Sequence, residues 1–197
     1  MLEILNNIQI SKPDWEGKAL LRVRMIPGGT RLLSVGLSGS VMTVHYDLDG
    51  PAVTTVTANM IDYSVPNDIE YVYLKSSPVH NFTLLRIYGT GVSEIEWVQG
   101  LTASRLFFSG CVNLLKVSDH LPLSVNNLWS AFYGCTFFNF DISNWDVSNV
   151  TNMNQLMRDA RAFNQNLSNW NVSKVTTYSA YDTNAVSWLP QNKPKFV

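Results

Sequence analysis

The sequence predicts a mixed fold, an N-terminal β-sandwich followed by a short repeat solenoid. Three observations carry this expectation. Residues 15–92 contain a series of short runs rich in Val, Ile, Leu, Tyr and Thr, separated by turn residues. Residues 138–153, FNFDISNWDVSNVTNM, are rewritten as FNQNLSNWNVSKVTTY at 163–178, a step of 25 residues. No apolar run approaches the length of a membrane-spanning helix.

Residues 1–14 precede the first β-like run and read either as an arm that docks on a partner or neighbouring subunit, or as a terminus or edge strand. The runs ALLRVRMI, RLLSVGLSG, SVMTVHYDL, AVTTVTANMI, IEYVYLK and FTLLRIYG follow. Pro27-Gly28-Gly29, Asp49-Gly50-Pro51 and Pro66-Asn67-Asp68 punctuate them. Short strands at roughly ten-residue spacing suggest a sandwich, here bounded at 15–92.

Residues 93–185 read as repeats of 24–25 residues. The clear copies are Ile142-x-x-Trp145-x-Val147-x-x-Val150 and Leu167-x-x-Trp170-x-Val172-x-x-Val175, a leucine-rich-repeat spacing with Trp at the middle site. Alternation at Trp-x-Val predicts a short strand. Val150, Met153 and Met157, at steps of three and four, predict one or two helical turns on the opposite side. FYGC at 132–135 repeats FSGC at 108–111, and Leu121-x-Leu123 stands 24 residues before Trp145-x-Val147. Such an array is near the minimum for a continuous core and needs caps. Residues 186–197, with two prolines, are expected to close the C-terminal end. Trp145, Trp170, Phe132, Phe138, Phe163, Met153 and Met157 are expected inside.

The outward strand positions are the candidate binding residues. They pair as Asn144 over Asn169, Asp146 over Asn171 and Ser148 over Ser173, polar ladders on a concave surface of the kind repeat proteins use. Catalytic chemistry finds little support. Asp47 and Asp49 occupy half of a calcium-loop pattern, but His45 and Val56 stand where ligands are needed, and Asp49-Gly50 reads as hairpin-turn chemistry. His45, His80 and His120 are scattered, and no zinc-protease, hydrolase or phosphate-loop motif is present. Gly36–Ser40 lacks the lysine that phosphate binding would need. No catalytic residue, metal or cofactor is expected. Cys111 and Cys135 share one repeat position with Ala160, which favours two buried free thiols, although stacked turns could also bring them to disulfide distance. Asn81, Asn149, Asn166 and Asn171 begin glycosylation sequons, which matter only in a eukaryotic secretory pathway.

Charged residues make up 15% of the 197-residue chain, with a net charge of −1, which argues against a nucleic-acid partner. Membrane insertion is not expected, and the opening MLEILNNIQISKPDW lacks the basic and apolar regions of a signal peptide.

The wording ISNWDVSNVTNM followed by FNQNLSNW resembles the BspA-like leucine-rich repeats, also known as the DUF285 surface-protein repeat. That resemblance covers roughly residues 100–180. It implies a bacterial surface or secreted protein that binds host or matrix partners, or a bacteriophage structural protein carrying the same module. Many such proteins carry a PKD-like β-sandwich in front. TVHYDLDG at 43–50 and TLLRIYGT at 83–90 stand where its hairpin and closing strand would be, with Tyr46 and Leu48 departing from the hairpin pattern. The expected function is a non-enzymatic structural or binding module on a particle surface, such as a phage capsid decoration or tail-fibre component. Its partners would be other virion proteins or further copies of itself, and a host-cell surface protein or glycan. The alternative is a secreted bacterial cell-surface adhesin; an enzyme on the same scaffold would need Asp, Glu and His converging in a cleft.

Overall fold

The computed structural model describes residues 20–27, 32–38, 41–47, 49–56, 61–76, 84–97 and 101–196. The expected N-terminal arm, His80 and Asn81 lie outside the described residues.

Two sheets form the N-terminal half and reach into the repeats. The first has the order β10-β8-β1-β6-β3-β4. It comprises β10 (Lys116–Val117), β8 (Val92–Trp97), β1 (Leu20–Met25), β6 (Tyr71–Ser76), β3 (Met42–His45) and β4 (Thr54–Val56). The second has the order β5-β2-β7-β9. It comprises β5 (Ile61–Ser64), β2 (Leu32–Ser38), β7 (Leu84–Tyr88) and β9 (Leu106–Phe107). Pairing is antiparallel except for β10 with β8 and β9 with β7.

Alternation explains the strands. In β1, Leu21, Val23 and Met25 are buried, while Arg22 and Arg24 point outward. Val72 and Leu74 of β6, Met42 and Val44 of β3, and Leu85 and Ile87 of β7 follow the same period of two. These side chains join one hydrophobic cluster with Trp97, Phe108 and the turn residues beyond. Each fully buried aliphatic side chain contributes about 1.5–3 kcal/mol. The run AVTTVTANMI divides between β4 and β5, which lie in different sheets. The expected boundary at residues 92/93 falls inside β8, which pairs with β1 on one side and β10 on the other.

The expected fold class needs correction. The described residues are nearly all-β, not mixed: they contain no α-helix, and a single 3-10 turn spans Pro190–Asn192. The leucine-rich-repeat solenoid, with a strand at Trp-x-Val and helical turns opposite, is not what forms. Residues 140–150 and 165–175 are turns and extended links without strand pairing. Successive turns are joined by single parallel bridges, Arg105 with Asn127, Asn127 with Asn152, and Asn152 with Thr177.

Hydrogen bonding explains the missing helix. The N–H groups of Met153, Gln155, Met157 and Asp159 donate to carbonyls one turn further on, those of Thr177, Ser179, Tyr181 and Thr183. Between them, the N–H groups of Leu156, Arg158 and Ala160 donate locally to Met153, Gln155 and Met157. Left-handed backbone recurs in step. Ser130, Gln155 and Ala180 have φ of 55°, 55° and 53°. Gly110, Gly134, Asp159 and Asn184 have φ of 79°, 71°, 62° and 60°. An α-helix cannot pass through two such residues per turn, and Gly, Asp and Asn are the residues that adopt this conformation at least cost.

The register at 121–123 is also corrected. A step of 25 puts Pro122, not Leu123, beneath Val147; Pro122 is buried, and Leu123 is 74% exposed.

Candidate functional site

The predicted ladders are not hydrogen-bonded ladders. Asp146 Oδ1 accepts from the Ser148 N–H at 3.0 Å, within its own turn. Asn171 Oδ1 likewise accepts from the Ser173 N–H at 3.3 Å and from the Ser173 hydroxyl at 2.8 Å. These are Asx turns, side chains that satisfy backbone two residues on. Asn144 and Asn169 are exposed and make no side-chain hydrogen bond among the described residues. The polar ties between turns lie elsewhere. Gln165 Nε2 donates to Asn139 O at 2.7 Å, and Lys174 Nζ to Asn149 Oδ1 at 2.9 Å.

The aromatic side chains expected inside are buried. Trp145 donates its indole N–H to Ser118 O at 3.0 Å, and Trp170 donates to Ile142 O at 3.3 Å. Trp145 packs against Trp97 and Phe132, with ring centroids 5.9 and 5.7 Å apart. Cys111 and Cys135 are free and buried. Burial pushes the Cys111 thiol up to about 12 and also raises that of Cys135, which favours the protonated thiol at both. His45 is held by Gly50 O and Thr43 Oγ1 at 2.9 and 2.8 Å, and Asp47 Oδ1 accepts from the Asp49 N–H at 3.1 Å. His45 thus ends β3 and ties down the turn that follows, to which Asp47 belongs. Among the described residues, no three His, Cys, Asp or Glu side chains gather as a metal site would require.

A different surface stands out, an arginine and aromatic face where sheet and turns meet. The alternation of β7 buries Leu85 and Ile87 and turns Arg86 and Tyr88 outward. The parallel register places Phe107 beside Arg86, whose guanidinium lies 4.7 Å from the ring centre. Arg105 lies between two rings, 5.2 Å from Phe107 and 4.4 Å from Trp129, and donates from Nη2 to Trp129 O at 3.1 Å. One turn on, Arg158 lies 5.5 Å from the Tyr133 ring. Gly110 makes room for Tyr88: a Cβ there would meet the Tyr88 ring at 2.3 Å.

The electrostatics of the face are uncompensated at Arg105. It forms no ion pair among the described residues, and its buried Nε has no hydrogen-bond partner. Burial, then the neighbouring charge of Arg86, lowers its pKa from the ordinary arginine value. Trp129 is 44% exposed and Tyr88 45%. Each cation–π contact contributes about 0.5–1 kcal/mol at such exposure, which helps to hold the arginines against the rings. Arg, Trp and Tyr are also the side chains enriched at binding hot spots. The sequence reading missed this face because its residues are spread from 86 to 158. One signal was present: the step of 25 that aligns the repeats sets Arg158 against Tyr133.

Residues 103–193 match the protein family described as Mycoplasma protein of unknown function, DUF285. The match takes in Arg105, Phe107, Trp129, Tyr133 and Arg158, and leaves β1–β8 outside. No curated protein and no solved structure matches the chain.

Proposed function

We propose that the chain is a non-enzymatic binding module displayed on a surface, and that the arginine and aromatic face is its contact region. The observation that carries this reading is Arg105, held between Phe107 and Trp129 without a carboxylate partner among the described residues. A protein surface bearing carboxylates would supply the missing charge and cover the exposed rings. The finer reading is a phage virion protein, a capsid decoration or tail-fibre component, with other virion proteins as partners. A second reading is a bacterial cell-surface adhesin; the DUF285 match supports only the coarser one, a BspA-like surface protein. Among the described residues no helix is long and apolar enough to cross a membrane.

Location and contact are tested together. Immunogold labelling of purified particles and of cell envelopes from the source culture is expected to mark particles at regular positions. Label confined to envelopes would replace the virion reading with the adhesin; label on neither would sink the display reading. Purified chain carrying Arg105→Glu and Trp129→Ala should then rebind the labelled fraction about tenfold or more weakly than the unmodified chain. Unchanged rebinding by a folded variant would remove the face from the proposal.

A further inference from the structure

The turns are hydrogen-bonded in one direction. The N–H groups of Leu128, Ser130, Phe132 and Gly134 donate to the carbonyls of Asn152, Asn154, Leu156 and Arg158 at 2.8 to 3.0 Å. Those of Met153, Gln155, Met157 and Asp159 donate onward to Thr177, Ser179, Tyr181 and Thr183 at 2.7 to 2.9 Å. A step of 25 makes Tyr178, Ala180, Asp182 and Asn184 the next donor row. None of their N–H groups has an acceptor among the described residues. The carbonyls of Tyr178, Ala180 and Asp182 accept locally, from the N–H groups of Tyr181, Thr183 and Ala185.

This edge therefore presents four donors while three of its four carbonyls are already engaged, unlike an ordinary strand edge, which offers donors and acceptors alike. It is open. Tyr178 and Asn184 are exposed, Ala180 and Asp182 half-buried, and a groove of ≈ 670 Å³ is lined by residues 176–182 and Asn154. The C-terminal segment packs beside the edge without filling it. Phe196 stacks on Tyr178 at 4.2 Å and Lys193 pairs with Asp182 at 2.7 Å, yet no backbone carbonyl of that segment accepts from the row.

The polarity of the edge selects its occupant. The same edge of a second copy would set donors against donors. Head-to-tail stacking of two copies is also blocked, because β7 already covers the other end: it pairs with β9, and the Leu85 N–H takes the Arg105 carbonyl at 2.9 Å. What fits is a row of carbonyls at every second residue of another protein. The row must follow the bend that Ala180 and Asn184 impose with φ of 53° and 60°. The bridges that join residues 105, 127, 152 and 177 would continue into it.

We propose that the edge formed by Tyr178, Ala180, Asp182 and Asn184 receives a segment of a partner protein, added in parallel as the next turn, whose alternate carbonyls accept from these four amides. This is backbone addition to an exposed edge, with Tyr178 and Tyr181 beside the groove. It is separate from the arginine and aromatic face, and either could fail without the other.

The test uses the full chain labelled with nitrogen-15 and a synthetic peptide of residues 151–160, TNMNQLMRDA. Inside the molecule this segment presents the carbonyls of Asn152, Asn154, Leu156 and Arg158 in the required arrangement. In the free chain, the amides of Tyr178, Ala180, Asp182 and Asn184 should exchange with solvent about tenfold or more faster than those of Met153, Gln155, Met157 and Asp159. Millimolar peptide should shift and slow all four, and a scrambled peptide should not. Equal protection in the free chain would overturn the proposal, as would equal action of the scrambled peptide or no response to either. Protection that instead rises with chain concentration, together with a dimeric mass by light scattering, would also overturn it and assign the edge to a second copy.

Discussion

Glu96 shows how a single side chain can hold the junction of three strands. It stands on β8 between Arg22 of β1 and Lys116 of β10. Burial, the largest influence, raises its pKa, but hydrogen bonds from Lys116 at 2.8 Å and from Arg22 Nε at 2.9 Å outweigh it. Its carboxyl is thus held below the ordinary value of 4.5. A depressed folded-state pKa means stability that is present above the unfolded value and lost as pH falls through the folded one. The group is partly exposed, so the contribution is discounted to about 1 kcal/mol. Glu96→Gln should therefore destabilise the chain by about 1 kcal/mol at neutral pH, and the gap should close below the ordinary carboxylate range. Urea unfolding of both proteins, once at neutral pH and once well below that range, measures this. A gap of the same size in acid would mean that packing, not charge, is what the glutamate supplies.

At the scale of the element, the turns are built from alternating hydrogen bonds and in-turn side-chain caps. Asp146 and Asn171 occupy the same place in successive turns, and each caps only its own turn. Asp146→Ala and Asn171→Ala should each cost up to about 1 kcal/mol, by loss of one side-chain to backbone bond. The double variant should cost the sum to within about 0.5 kcal/mol. A ladder joining the two turns would give a larger coupling, so a double-mutant cycle by thermal or urea unfolding separates the two arrangements. The repeat length, the buried Trp, Phe and Met side chains, and five of the strands were legible because period and alternation are local. The step of three and four at Val150, Met153 and Met157 reads equally as a helix or as a turn with left-handed residues. What decides it is the acceptor row one turn away, at Thr177 to Thr183, which no local window contains. For the same reason β8 was missed. VSEIEW becomes a strand because β1 and β10 flank it. The arginine and aromatic face was illegible as a whole, since β7, β9 and two turns must meet before Arg86, Arg105 and Trp129 become neighbours.

At the scale of the molecule, the sheets and the turns share strands and core, which bears on how the chain unfolds. β9 and β10 belong by sequence to the DUF285-matching segment, yet they complete the two sheets by pairing with β7 and β8. The Leu115 N–H donates to Ser93 O at 2.7 Å, and Cys111 Sγ donates to Ile87 O at 3.4 Å. Trp97, the last residue of β8, packs on Phe108 and Trp145 with centroids 6.0 and 5.9 Å away. It also donates its indole N–H to His120 O at 3.0 Å. Losing a buried Trp alone costs about 3–5 kcal/mol, a large part of the 5–15 kcal/mol that holds a typical domain folded. A fragment of residues 101–197 would lose Trp97 and the partners of β9 and β10 together. It is expected to lack a cooperative transition, while the full chain should unfold in one step, with matching calorimetric and van't Hoff enthalpies. Scanning calorimetry of both proteins, with near-ultraviolet circular dichroism to follow the buried tryptophans, checks the prediction. A fragment that melts cooperatively at the temperature of the full chain would show that the turns carry their own stability. The two sheets would then be a neighbour that the turns can do without.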